Sequence, residues 1–298
     1  MSSCSHHGHH HPVPTSFHGA FALGILLNAG FVAAEMSAGF WAHSLALIAD
    51  AVHNLGDVLG LAAAWLGYHF SNRRPSAQFT AGLGRMSIYT TILNGLLLVV
   101  SSFWIIVESV QRLQQPLEPA TGVVIGVAVL GIVINLGTAW GLSRGQHDIN
   151  IKGAMLHMLG DAAISVAVAV AAALIAVTGW LWLDPAVSIA VALLILWTSW
   201  PLLREGLSLA MDGVPQSIKT EAVRSFIEQQ PQIKAVHDLR IWALSTTKTA
   251  LSAHIVLAED AQSSTVLGRL HHDLQHEFDL ASITLQLEQA PFTCIQSS

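Results

Sequence analysis

His53-Asn-Leu-Gly-Asp57 and His157-Met-Leu-Gly-Asp161 are one string written twice, with a single internal substitution. Each copy lies inside a long apolar run, and both runs are long enough to cross a bilayer, which takes roughly 20 mostly apolar residues. Ionisable side chains in such runs are rare and carry function by default. The i,i+4 spacing sets the His and the Asp of each copy on one face of a helix. Two such helices facing each other present two imidazoles and two carboxylates to one point. That N2O2 set suits a tetrahedral Zn2+ ion, and its two carboxylates cancel the charge of a divalent ion.

The surroundings fit a membrane protein. Of 298 residues, 52% are hydrophobic and 11% charged, against about 25% charged in a typical soluble domain. The mean hydropathy is +0.54. Six runs qualify as spans, at about Phe17–Phe40, Ser44–Phe70, Met86–Gln111, Thr121–Leu142, Ile149–Thr178 and Pro185–Leu209. Trp41, Trp180 and Trp182 stand at the turns, where interfacial aromatics belong. Arg73, Arg74, Arg85, Arg144, Lys152, Arg204 and Lys219 fall in alternate loops, and Arg112 is the exception. By the positive-inside rule both termini are expected in the cytoplasm, the protein being multi-pass in the cell (inner) membrane. The start, MSSCSHHGHHHPVP, lacks the basic stretch and short apolar run of a cleavable signal, so the first span is expected to be retained. A net charge of −6 without a basic face excludes nucleic acid as a partner. Two cysteines, Cys4 and Cys294, cannot form a Cys-x-x-Cys zinc knuckle.

The domain limits read from composition are a His-rich tail over 1–16, a membrane domain of six transmembrane helices over 17–211, and a small cytoplasmic domain over 212–298. In the last, SIKTEAVRSFIEQQ and SSTVLGRLHHDLQHEF have helical spacing, whereas AVHDLRIWAL, TALSAHIVLA and SITLQLEQ alternate like strands. The order αββαβ predicts an α+β domain with its helices on one face of a sheet. Nothing in it pairs a nucleophile with a base, and the chain is read as a transporter rather than an enzyme.

Energetics favour a metal in the spans. An unpaired Asp at a helix centre costs about 2.5–3.5 kcal/mol on insertion scales. Structural zinc binding in small peptides yields about 10–16 kcal/mol, enough to offset two buried acids. Asp50, one turn before His53, is either a spare ligand, a group lining the ion's path, or a capping acid, and Glu35 shares that ambiguity. His237 and His254 on neighbouring strands, with Glu288 at the end of the last strand, form a candidate second site. Surface histidines satisfied by solvent are the rival reading. His6, His7, His9, His10 and His11 form a His-rich tract of the metal-capturing kind, or else a tag. His271, His272 and His276 read as a solvated face. A haem protein with His53 and His157 as axial ligands would leave the two acids unneutralised. A metalloprotease would need His-Glu-x-x-His on one helix, and that string is absent.

With SLALIADAVHNLGD in the second span, HMLGD in the fifth, DPAVSI opening the sixth and an α+β domain at the C-terminus, the chain resembles the cation diffusion facilitator family over nearly its whole length. Within that family it is most similar to the bacterial zinc exporters. The resemblance implies a homodimer that exports Zn2+ from the cytoplasm in exchange for protons by alternating access. It implies a transport site of His53, Asp57, His157 and Asp161, and a metallochaperone-like C-terminal domain that helps the dimer form, often with bound zinc. Cd2+, Co2+ and Ni2+ are alternative substrates for the same donor set. The chain departs from the family in three places. It has Leu239-Arg240-Ile241-Trp242 where some relatives have a histidine in the strand, Ala281 where relatives often have a histidine, and Cys294 in place of a Cys-x-x-Cys.

Overall fold

The structure is a computed structural model and describes residues 17–71, 76–80, 82–143, 149–259 and 261–289. Six long helices come first: α1 (Phe17–Trp41), α2 (Leu45–Ser71), α3 (Met86–Gln114), α4 (Thr121–Leu142), α5 (Ile149–Thr178) and α6 (Leu183–Ala210). Among the described residues, α2 to α6 each contain a stretch long and apolar enough to cross a membrane. Large apolar side chains such as Leu93, Phe103, Val133, Val170 and Trp197 are exposed along these helices, as lipid-facing residues are. The chain then continues through α7 (Thr220–Glu228), β1 (Ile233–Ala243), β2 (Thr249–Leu257), α8 (Ser263–Phe278) and β3 (Leu280–Gln289), the order that the alternating and helical patterns predict.

The chain divides into two compact units. The first holds the described residues up to Leu61 together with Ser102–Ala192. Its apolar centre is made of Ala42, Ala46, Leu47, Val124, Ala128, Val168 and Ala172, mostly small residues from α2, α4 and α5 and the turn before α2. Small side chains let membrane helices pack closely. The start of α2 is fixed by a residue from another helix. The Asp184 carboxylate accepts hydrogen bonds from Ser44 Oγ and from the backbone N–H groups of Leu45 (2.8 Å) and Ala46 (3.4 Å). The first N–H groups of a helix have no partner of their own, and a negative charge there is favoured by the helix dipole. The DPAVSI stretch thus serves α2 as well as its own helix, and α6 starts at Leu183, ahead of the expected Pro185, so that Asp184 lies in its first turn.

The second unit holds the described residues of Ala62–Ser101 and those from Leu193 to Gln289. In it, α7 and α8 pack on a three-stranded sheet of order β1-β2-β3, with β1 and β2 antiparallel and β2 and β3 parallel. A parallel pair needs a crossover connection, which α8 supplies. Val223, Ile227, Val266, Leu270 and Leu274 of the helices meet Leu251, Ala253, Ile255 and Leu257 of β2. Those alternate residues of β2 face the helices, so Ser252, His254 and Val256 point to the other face.

Candidate metal sites

Within the first unit, α2 and α5 run antiparallel and their polar residues meet rung by rung. His53 Nε2 lies 3.2 Å from Asp161 Oδ1, and His157 Nε2 lies 3.2 Å from Asp57 Oδ1. Each histidine therefore faces the aspartate of the other motif. Asp161 also reaches back along its own helix, with Oδ2 3.8 Å from His157 Nε2. The two imidazole centroids are 6.2 Å apart. Ligand atoms of His53, Asp57 and Asp161 all lie within 4.8 Å of one another, and His157 adjoins that trio through its contacts with both acids. The four residues singled out by the repeated string are thus brought together.

The rungs differ in exposure. The side chains of His157 and Asp57 are 46% and 32% exposed, those of His53 and Asp161 14% and 4%. Access is from the side of the Asp57–His157 rung. One turn further along, past the His53–Asp161 rung, a third cross-contact closes the stack: Ser165 Oγ donates to Asp50 Oδ2 at 2.8 Å, and both residues are fully buried. Asp50 therefore stands next to the cluster, engaged with Ser165, while Glu35, also fully buried, accepts from Asn54 Nδ2 at 2.9 Å. Ser165 and Asn54 escaped the sequence reading. Their one legible signal is position, Ser165 four residues after Asp161 and Asn54 inside the repeated string.

In the second unit, His237 and His254 are direct register partners on β1 and β2, with ring centroids 5.1 Å apart. Gln286 pairs with His254 and Glu288 with Val256 on the parallel neighbour, which brings Glu288 to the helix-free face of the sheet beside them. His237 Nε2 is 2.8 Å from Glu288 Oε2 and His254 Nδ1 is 2.9 Å from Glu288 Oε1. Gln286 Nε2 donates to Glu288 Oε1 at 3.1 Å. Burial pushes the Glu288 carboxyl up, but the hydrogen bond of His237 and the charges of His237 and His254 outweigh it and hold the group below the ordinary glutamate range. Ligand atoms of the three residues lie within 4.8 Å of one another. His254 Nδ1 is buried without a hydrogen bond of acceptable geometry despite its short approach to Glu288. A buried nitrogen aimed at a carboxylate yet unbonded to it fits a donor set built for a cation.

On α8, His271, His272 and His276 are exposed. His6, His7, His9, His10 and His11 lie outside the described residues.

Comparison with known proteins covers both parts of the chain. The model of the cation efflux transmembrane domain matches residues 21–210, and that of the cation efflux protein cytoplasmic domain matches residues 215–290. The chain is 36% identical to the metal cation efflux system protein CzcD of Cupriavidus metallidurans, covering 95% of this chain and 90% of that one. It is 32% identical to the cadmium, cobalt and zinc/H(+)-K(+) antiporter of Bacillus subtilis (89% and 87% covered) and 32% identical to the zinc transporter ZitB of Escherichia coli (91% and 87% covered). Among solved structures, the metal-bound C-terminal domain of the CzcD transporter from Cupriavidus metallidurans is 33% identical over 24% of this chain and 99% of that one, with a TM-score of 0.23.

Proposed function

This chain belongs to the cation efflux family, the cation diffusion facilitators, and from that premise we propose that it exports Zn2+ from the cytoplasm in exchange for protons, by alternating access through His53, Asp57, His157 and Asp161. The observation that carries the proposal is the pair of crossed contacts, His53 with Asp161 and His157 with Asp57. Two imidazoles and two carboxylates are a fitting donor set for Zn2+ and a poor one for Mg2+ or Ca2+, which take oxygen ligands. The set is neutral when it holds a divalent ion or two protons, and the energetic cost of charge in the bilayer is lowest in those two states. Ligands must shed protons to bind metal, and imidazole ordinarily titrates near neutrality. Binding and release are thereby linked to proton movement in opposite directions. Access from the Asp57–His157 rung corresponds to the cytoplasmic side if both termini are cytoplasmic, as the loop charges imply.

The remaining assignments follow from the same premise. Asp50 lines the path beyond the His53–Asp161 rung. His237, His254 and Glu288 would hold a resident Zn2+ in the cytoplasmic domain, as a structural ion. The protein works as a homodimer in the inner membrane and catalyses no covalent chemistry. The His-rich tail captures metal before transport. The names of the relatives, which include cadmium and cobalt beside zinc, make those ions the alternative cargo.

Competition of Cd2+, Co2+ and Ni2+ against Zn2+, on purified wild type and on Asp57→Ala, tests the substrate and the site together. Zinc outcompeting the others on wild type, with less zinc bound per chain and a weakened preference in Asp57→Ala, is the expected outcome. Equal zinc binding to the variant would remove Asp57 from the site.

A further inference from the structure

Two residues of β1, Asp238 and Leu239, stand opposite one residue of β2, because the register passes from His237↔His254 to Arg240↔Ser252. This is a β-bulge, a device that re-aims a side chain and is common beside functional sites. Asp238 has φ 49°, a left-handed conformation that side-chain-bearing residues seldom adopt, although Asp tolerates it better than most. Without the extra residue, strict alternation would turn Asp238 to the face of Val236, which lies in the helix-covered core. With it, the Asp238 carboxylate comes to His254. Oδ2 lies 3.9 Å from His254 Nε2, while Arg240 Nε donates to Oδ1 at 2.9 Å and fixes the group. His254 thus has one carboxylate on each ring nitrogen, Glu288 beside Nδ1 and Asp238 beside Nε2.

We propose that Asp238 is a positioning residue of the cytoplasmic metal site: it receives the Nε2–H of His254 and so leaves the Nδ1 lone pair, beside Glu288, for the ion. The proposal rests on the reading of His237, His254 and Glu288 as a metal site. Metal-bound histidines regularly donate their other ring N–H to a carboxylate, which sets the tautomer and the ring orientation. At 3.9 Å the contact is electrostatic, and a ring shift of about 1 Å makes it a hydrogen bond. The bulge and the Arg240 clamp have a shared purpose in this account, since each serves to present Oδ2 to His254.

The test uses the full chain labelled with diethylpyrocarbonate under a zinc titration, read by peptide mass spectrometry at His237, whose ring pairs with Glu288. Asp238→Gly should raise the zinc concentration for half-protection by about 10–100-fold, the range seen when such outer partners are lost. Its metal-free thermal stability should hold or rise, because glycine adopts a positive φ freely. Glu288→Ala should abolish the protection. Protection that survives Glu288→Ala would overturn the metal site itself and the role of Asp238 with it. Protection lost in Glu288→Ala but unmoved in Asp238→Gly would overturn the role of Asp238 alone. A metal-free chain destabilised by Asp238→Gly in step with its zinc affinity would mark the residue as structural and also overturn the proposal.

Discussion

Asp161 is the one aspartate of the membrane cluster that touches both histidines, and it is nearly inaccessible, whereas Asp57 touches one histidine and is a third exposed. Loss of Asp161 should therefore cost more than loss of Asp57. Breaking a buried ionic pair by removing one partner costs about 3–5 kcal/mol, and solvent screening reduces that figure at the exposed rung. Zinc-binding calorimetry should rank the variants Asp161→Ala weaker than Asp57→Ala, and equal affinities would refute the ranking. Ser165→Ala removes the donor to Asp50. Hydrogen bonds between membrane helices average about 0.6 kcal/mol and reach about 1.7, so the variant should melt slightly below wild type in detergent while still binding zinc. The two His-Asp pairs were legible in sequence because ionisable groups in apolar runs stand out. Ser165 and Asn54 were not, since uncharged polar residues are common in membrane helices and their partners lie on other helices. Asp238 was illegible for a related reason: its bulge is a property of two paired strands, and one strand's sequence does not contain it.

Among the helices, close approaches decide which small residues matter. A side chain at Gly84 would meet the backbone oxygen of Leu244 at 2.7 Å, an atom that cannot give way without moving the turn after β1. One at Gly206 would meet Ile92 Cγ1 at 2.9 Å, a side-chain atom next to a branched Cβ that has little rotamer freedom in a helix. Overpacking costs about 1–3 kcal/mol, and the upper end belongs to Gly84→Ala. Thermal melting should show both variants destabilised and Gly84→Ala, which meets backbone, more so than Gly206→Ala; the reverse order would contradict these contacts. Nearby, Thr246 N donates to Ser87 Oγ at 3.1 Å, and Ile88, Leu209 and Ala243 are buried together, so the turn after β1 is held against the ends of α3 and α6. The bounds of the six long helices were legible almost to the residue, and five of them, α2 to α6, qualify as spans among the described residues. The errors lie at ends where side chains extend the helix. The third span continues to Gln114, past the expected Gln111, with Glu108 and Arg112 paired one turn apart on it.

For the whole molecule, composition gave the membrane part and alternation gave the αββαβ order, because both report directly on solvent and on period. What they could not give was the meeting of α2 and α5 in crossed pairs, which needs the packing of the first unit, or the alignment of His237 with His254, which needs a register set by a bulge. The proposed exchange cycle depends on the crossed set being neutral with one ion or with two protons. The most direct measurement is Zn2+ flux into proteoliposomes under an imposed pH gradient, for wild type and for Asp161→Ala. Flux that follows the gradient, stops when the gradient is dissipated and falls to background in Asp161→Ala is the predicted result. Flux indifferent to the gradient would contradict proton exchange, and flux undiminished in Asp161→Ala would contradict the site.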